Sequence, residues 1–253
     1  MSPPSTLRLM TPQELVAAAC PKIGKIGPTF YFVPETAAQG EKLGLDVFEF
    51  YFLGRGGVLG DVEARVVTSA FGYFKPQLVE AMWNTGRAKI SPRDAGRAFL
   101  ECCREWGRTR FSHLDGLEAF CAAAEAVNAA ADPIGLTLYA GISAEPLEDE
   151  LPGRAMQLIT VLRELRGSAH LLAVLACDVR PVVAHYVRRP DFFGIFGWSD
   201  KDVPVVTAED HAALDAADEL TDRLVLPAYS VLDDAGAEAL LSGLVAMEAA
   251  VAS

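Results

Sequence analysis

The sequence predicts an all-α, mainly helical fold with short β-hairpin wings. Three observations carry that prediction. Helix-start signatures recur: Thr11-Pro12 with Glu14, Ser91-Pro92 with Asp94, and Thr207. The stretches behind them are rich in Ala and Leu in helical patterns. Only three short segments read as extended: 136–139, 225–227 and 229–232.

The first helix is expected over 11–20, with Thr11 as N-cap, Pro12 at N1 and Glu14 at N3. Gly24, Gly27 and Pro28 then break it. Residues 29–53 are aromatic-rich around a polar stretch, 35–42. Residues 61–74 suit a helix, and Pro76 opens another through Trp83. Ser91 caps a long helix to about Phe111, its Asp94 near the positive helix end. A further helix spans about 114–131 and is stopped by Asp132-Pro133 and Gly135.

Residues 134–153 form an acidic Pro/Gly connector, which divides the chain into an N-terminal half, 11–133, and a C-terminal half, 154–253. In the second half, 154–166 is an apolar helix, and Gly167-Ser168 reads as a stop with a fresh N-cap. A short helix, 169–176, and a tight turn through Pro181 lead into a helix at about 181–189. Thr207 caps a helix to about Thr221. Two short strands and a terminal helix from Asp233 or Asp234 complete the half. Three helices, a hairpin-like pair and a last helix form a winged-helix plan, whose short helix, turn and next helix fit a helix-turn-helix.

With 253 residues, 51% hydrophobic and 22% charged, the chain suits one large domain or two small ones and needs no metal or disulfide staple. Its five cysteines (20, 102, 103, 121, 177) are an odd number without CxxC spacing, as expected of reduced buried thiols. No run of 18 apolar residues occurs, and residues 1–10 lack the regions of a secretory leader, so a cytoplasmic protein without membrane contact is expected. The net charge of −12 argues against a broad nucleic-acid surface. That charge is uneven: +3 over 154–201, −10 over 202–253 and −5 before them.

The runs Leu162-Arg-Glu-Leu-Arg-Gly-Ser-Ala-His170, Phe196-Gly-Trp-Ser-Asp200 and Leu232-Asp-Asp-Ala-Gly236 resemble an actinobacterial helix-turn-helix family of uncharacterised proteins. Tyr31-Phe-Val-Pro-Glu35, Gly44-Leu45, Tyr51-Phe52, Val66-Val67-Thr68 and Tyr73-Phe74 follow the same order, so the resemblance spans roughly 11–243. It implies two winged-helix-like halves joined by helices. Members typically carry His where this chain has Leu165 and Asp where it has Ser168. A His before the aromatic-Pro-Glu run is also missing here. Any polar site those residues form in relatives is depleted in this chain.

Three groups could carry chemistry. Ten of the 22 aromatic residues fall between Phe30 and Phe74, which makes either an apolar pocket with Tyr hydroxyls or a plain aromatic core. Arg163, Arg166 and His170 share one face of an apolar helix. They would hold an anionic or carbonyl-bearing ligand, or form an ion-pair network joining the halves, with Glu164 or a carboxylate from the first half as partner. The helix at 180–189 carries Arg180, His185, Arg188 and Arg189, a small basic face of the kind that reads a major groove. Six acidic residues on the helix after Thr207 oppose that role.

The Gly54–Gly60 run matches neither dinucleotide nor phosphate-loop spacing, the four histidines lack metal-ligand spacing and no GxSxG occurs. No cofactor or metal is expected. The leading expectation is a small-molecule sensor or carrier. Arg163, Arg166 and His170 would form the polar end of an interdomain pocket, and Tyr31, Tyr51 and Trp198 its wall. The expected ligand is anionic or aromatic. The same pocket would serve a cofactor-independent enzyme of specialised metabolism, with His170 as catalytic acid or base. A DNA-binding transcriptional regulator using 180–189 is the other alternative, with DNA ranked below a small ligand as partner. The segment around Trp198, with Phe192, Phe193 and Phe196, is expected to fold inward against the first half.

Overall fold

The computed structural model describes residues 10–252. Residues 1–9 of the stretch read for a leader, and Ser253, lie outside them. The described residues form twelve α-helices and no strand.

Helix α1 (Pro12–Ile26) opens on the expected box: the Glu14 N–H donates to Thr11 Oγ1 at 3.2 Å, and the Thr11 N–H donates to Glu14 Oε2 at 2.9 Å. It continues past Cys20, Pro21 and Gly24, because Ile23 and Ile26 are buried on its inner face. The polar interruption is itself a helix, α2 (Pro34–Lys42). Next, α3 (Val47–Gly56) starts on an Asp46/Glu49 box and runs through the first glycines of the Gly54–Gly60 run. Gly57 must be glycine, since a Cβ there would lie 2.0 Å from the Pro92 carbonyl oxygen. Then follow α4 (Ala64–Phe71), α5 (Pro76–Arg87), α6 (Pro92–Phe111), α7 (Leu117–Ala130), α8 (Thr137–Ser143), α9 (Leu151–Ala176), α10 (Pro181–Arg188), α11 (Ala208–Tyr229) and α12 (Asp234–Ala252). Ser91 caps α6 and Thr207 caps α11, as their sequences predict.

Three expectations are corrected. The β-hairpin wing is absent: 225–229 completes α11, and the short turn before α12 follows. Thr221, Val225, Ala228 and Tyr229 are all buried, at the three-to-four spacing of a helix face, and that burial outweighs the strand preference of Val225 and the break at Pro227. Residues 136–139 likewise enter α8 instead of a strand, because Leu138, Tyr139 and Ile142 are buried at helical spacing. Gly167-Ser168 does not stop the chain. Leu162, Leu165, Ala169 and Ala173 continue one buried face across it, so α9 runs unbroken for 26 residues.

That helix is the centre of the molecule and packs against α1, α6, α7, α8, α10 and α11. The main buried core draws on residues from Leu15 to Ala250. The first and last helices pack together, and Glu248 accepts from Lys22 Nζ at 2.6 Å and Lys25 Nζ at 3.0 Å. Gly243 lies against the Phe120 ring, where a Cβ would approach within 2.7 Å. Among the described residues α12 is the single unbent helix long and apolar enough to cross a bilayer. Its Leu240, Leu244 and Met247 are fully buried against neighbouring helices.

Candidate functional site

The C-terminal end of α9 and α10 form a helix-turn-helix corner. Four residues, Cys177 to Arg180, link the helices, and the chain direction changes by 116°. The turn is a Schellman closure: the Val179 N–H donates to the Val174 carbonyl at 3.0 Å and the Asp178 N–H to that of Leu175 at 3.1 Å. Asp178 takes the left-handed position, φ 60°, which Asp tolerates better than most residues. The corner has its own small core of Ala173, Val174, Val179, Val183, Ala184, Leu214 and Ala217, so α11 is its third helix.

On α10, Arg180, Arg188 and Arg189 face solvent, whereas His185 is buried. Arg188 donates to Asp218 at 2.6 Å and to Asp215 at 3.2 Å, both on α11, and Arg189 lies 4.6 Å from the centre of the Phe192 ring. The His185 ring stacks on Phe196 at 3.9 Å, and Phe196 stacks on Phe74 at 3.9 Å. Trp198 Nε1 donates to the Tyr73 carbonyl at 2.9 Å, the Lys75 N–H donates to that of Phe196 at 2.9 Å, and Lys75 Nζ meets Asp202 at 2.7 Å. The aromatic loop after α10 is thereby fastened to the α4–α5 turn.

The charged stripe of α9 divides between two surroundings. Arg163 turns toward Tyr31, its guanidinium carbon 5.3 Å from the ring centre, and donates to Glu164 Oε1 at 2.7 Å. Glu164 is almost fully buried and is the hub of this network. Arg55 grips it with Nε at 3.0 Å and Nη2 at 2.8 Å, the Tyr31 hydroxyl donates at 3.4 Å, and Arg55 Nη1 donates to the Tyr51 hydroxyl at 3.0 Å. Burial alone would raise the Glu164 pKa, but the Arg55 and Arg163 charges hold it below the usual carboxylate value. The cavity beside these groups, between Phe30, Phe99, Thr160 and Glu164, measures about 20 Å³. That is room for roughly one water. The aromatic-rich segment is packed: Phe30, Tyr31, Phe50, Tyr51, Phe52, Phe71 and Phe74 are buried, and Phe32 alone of that group is more than half exposed.

Arg166 and His170 instead face α11. Arg166 pairs with Asp222 at 2.8 Å, and His170 Nδ1 lies 3.0 Å from the Thr221 hydroxyl. That hydroxyl donates to the Ala217 carbonyl at 2.6 Å, so His170 Nδ1 carries the proton and donates. Burial lowers the His170 pKa, partly countered by Asp218. The structure thus brings Tyr31, Tyr51 and Arg163 together. Arg166 and His170 form a second group, and Trp198, in the loop after α10, sits apart from both against the α4–α5 turn.

Arg55 is the residue of this network that sequence reasoning missed. The glycines around it read as a break. A continuous helix over 47–56 would have placed Tyr51 and Arg55 four apart on one face.

No curated protein and no solved structure matches the chain. A helix-turn-helix family does match, over residues 17–253. The corner formed by α9 and α10 lies inside that span, and the chain belongs to this helix-turn-helix family.

Proposed function

We propose that the protein is a DNA-binding regulator that presents α10 to the major groove. One observation carries the reading: a four-residue turn sets α10 across the end of α9 on a separate three-helix core, with Arg180, Arg188 and Arg189 outward. Family membership agrees with it. Arg180 and Arg189 form no salt bridge among the described residues, although the Arg180 charge is felt by Asp210, so they make the first phosphate contacts. Arg188 reaches DNA only by leaving Asp215 and Asp218. The carboxylates of α11 beside Arg188 keep affinity for random duplex low, and each phosphate contact adds its share of salt dependence. His185, enclosed between aromatic rings, takes no part in base reading.

The test is selection of bound duplexes from a random pool, followed by anisotropy titration at several salt concentrations. Arg180→Ala/Arg189→Ala should weaken binding and lower the salt slope by about 2, since each lost phosphate contact removes about 0.9. No enrichment at low salt, or an unchanged slope in the double variant, overturns the proposal.

A further inference from the structure

Asp218 of α11 is shared between two basic side chains. Its Oδ2 accepts from Arg188 of α10 at 2.6 Å, and its Oδ1 lies 3.7 Å from His170 Nδ1 of α9. Arg188 also reaches Asp215 at 3.2 Å, and Arg166 pairs with Asp222 at 2.8 Å. The charged groups facing His170 are Asp218 and Asp222 on α11, Arg166 on α9 and Arg188 on α10. The Tyr73 ring, from the α4–α5 turn, stacks beside the imidazole at 6.3 Å. Burial pushes its hydroxyl far up, so it stays neutral.

The charges decide what a proton on His170 does. With His170 neutral, three carboxylates (Asp215, Asp218, Asp222) meet two guanidiniums (Arg166, Arg188), for a net −1. Withdrawing Arg188 would leave −2 along one helix, which is unfavourable at such short spacings. With His170 protonated the cluster is neutral, and withdrawing Arg188 leaves only −1. Asp218 then keeps a second cation 3.7 Å away, so the departing guanidinium does not leave it unpaired. Arg188 and Asp218 are both partly open to water, so the pair parts without unfolding the corner.

We propose that His170 is a proton switch for α10: on taking up a proton it replaces Arg188 on Asp218 and frees that arginine for a DNA phosphate. The switch rests on the DNA-binding reading of α10. Burial lowers the His170 pKa below the usual 6.5, Asp218 raises it in part, and Arg166 and Arg188 lower it again. The switch therefore turns on as pH falls through that depressed value. His185, on α10 itself, faces Arg189 and the Phe192 backbone instead of Asp218, so its proton does not act on this pair.

The first arm of the test needs no DNA. The His170 ring is followed by NMR through a pH titration of the whole chain. Arg188→Ala should raise the His170 pKa, because the rival cation is gone, and Asp218→Asn should lower it. The second arm is anisotropy titration of the selected duplex at fixed salt, with circular dichroism checking the fold at each pH. Wild-type affinity should rise at least about fivefold between about pH 7.5 and 5.5, the lower end of site-to-site couplings. His170→Gln and Arg188→Ala should each remove most of that rise, with no further loss when combined. A His170 titration unchanged by Arg188→Ala overturns the switch, whether or not DNA binds. A flat affinity profile, or a rise that survives in both variants, overturns it as well. A coupled ring titration without any bound duplex overturns the DNA-binding reading instead.

Discussion

Arg55 clasps the carboxylate of Glu164 with both its Nε and Nη2 nitrogens, at 3.0 and 2.8 Å, across 109 positions of sequence. Glu164→Ala should therefore destabilise the fold by about 3–5 kcal/mol, because two guanidiniums lose their shared counter-ion. Arg163→Ala should cost less than about 2 kcal/mol, since Glu164 keeps Arg55 and the Arg163 head is partly in water. Urea denaturation of the two variants checks the order, and equal losses would contradict the hub role of Glu164.

Acid should loosen the helix-turn-helix corner. Burial is the first cause that lowers the His170 and His185 pKa values below 6.5. A depressed pKa means that the unfolded chain binds the proton first, so this stability is complete above 6.5 and is lost as pH falls through the folded values. His170 faces Asp218, Asp222, Arg166 and Arg188, and His185 faces Arg189. His185 Nε2 is buried without a partner, and the Phe192 backbone only partly counters the effect of burial. Urea midpoints should fall between about pH 7.5 and 5.5, and His170→Gln/His185→Gln should flatten the fall. A profile unchanged in the double variant would remove both histidines from the account.

Two glycine substitutions should move stability in opposite directions. Gly24 lies inside α1 with open space around its Cβ position, so Gly24→Ala should stabilise by about 0.5–1 kcal/mol. Gly57→Ala forces a Cβ against the Pro92 carbonyl and Gly96, and should cost about 1–3 kcal/mol. Thermal unfolding of both proteins reads the signs.

Phe196 is held between Phe74 and His185, each at 3.9 Å. Phe196→Ala should cost about 2–4 kcal/mol and free the loop after α10. Limited proteolysis should then cut within 190–203 while the rest of the chain resists. Unchanged protection would mean that Trp198 and Lys75 hold the loop without it.

The parts legible in the sequence were those decided locally. Thr11, Ser91 and Thr207 cap their own helices, and Pro181 opens α10 because N1 needs no N–H. The turn at 177–180 was legible for the same reason. The misread parts were decided by distant partners. Val225 and Pro227 stay helical because Tyr229, two residues beyond Pro227, is buried against Cys20 of α1, its hydroxyl 3.8 Å from the thiol. Gly167 stays helical because Leu165 and Ala169 on either side of it are both buried. The Arg163, Arg166 and His170 stripe was visible as charges on an apolar helix. Its division between Tyr31 and α11 depends on which neighbours the fold supplies, and no local spacing encodes that.

The pairing of α1 with α12 sets the order in which this protein can be completed during synthesis. Lys22, Lys25 and Phe120 meet Glu248 and Gly243 only once α12 itself has left the ribosome. Until then the faces of α1 and α7 that α12 covers are wet, and the nascent chain is open to holdase chaperones and to aggregation. Such sequence-distant closure also slows the final collapse relative to a bundle of neighbouring helices.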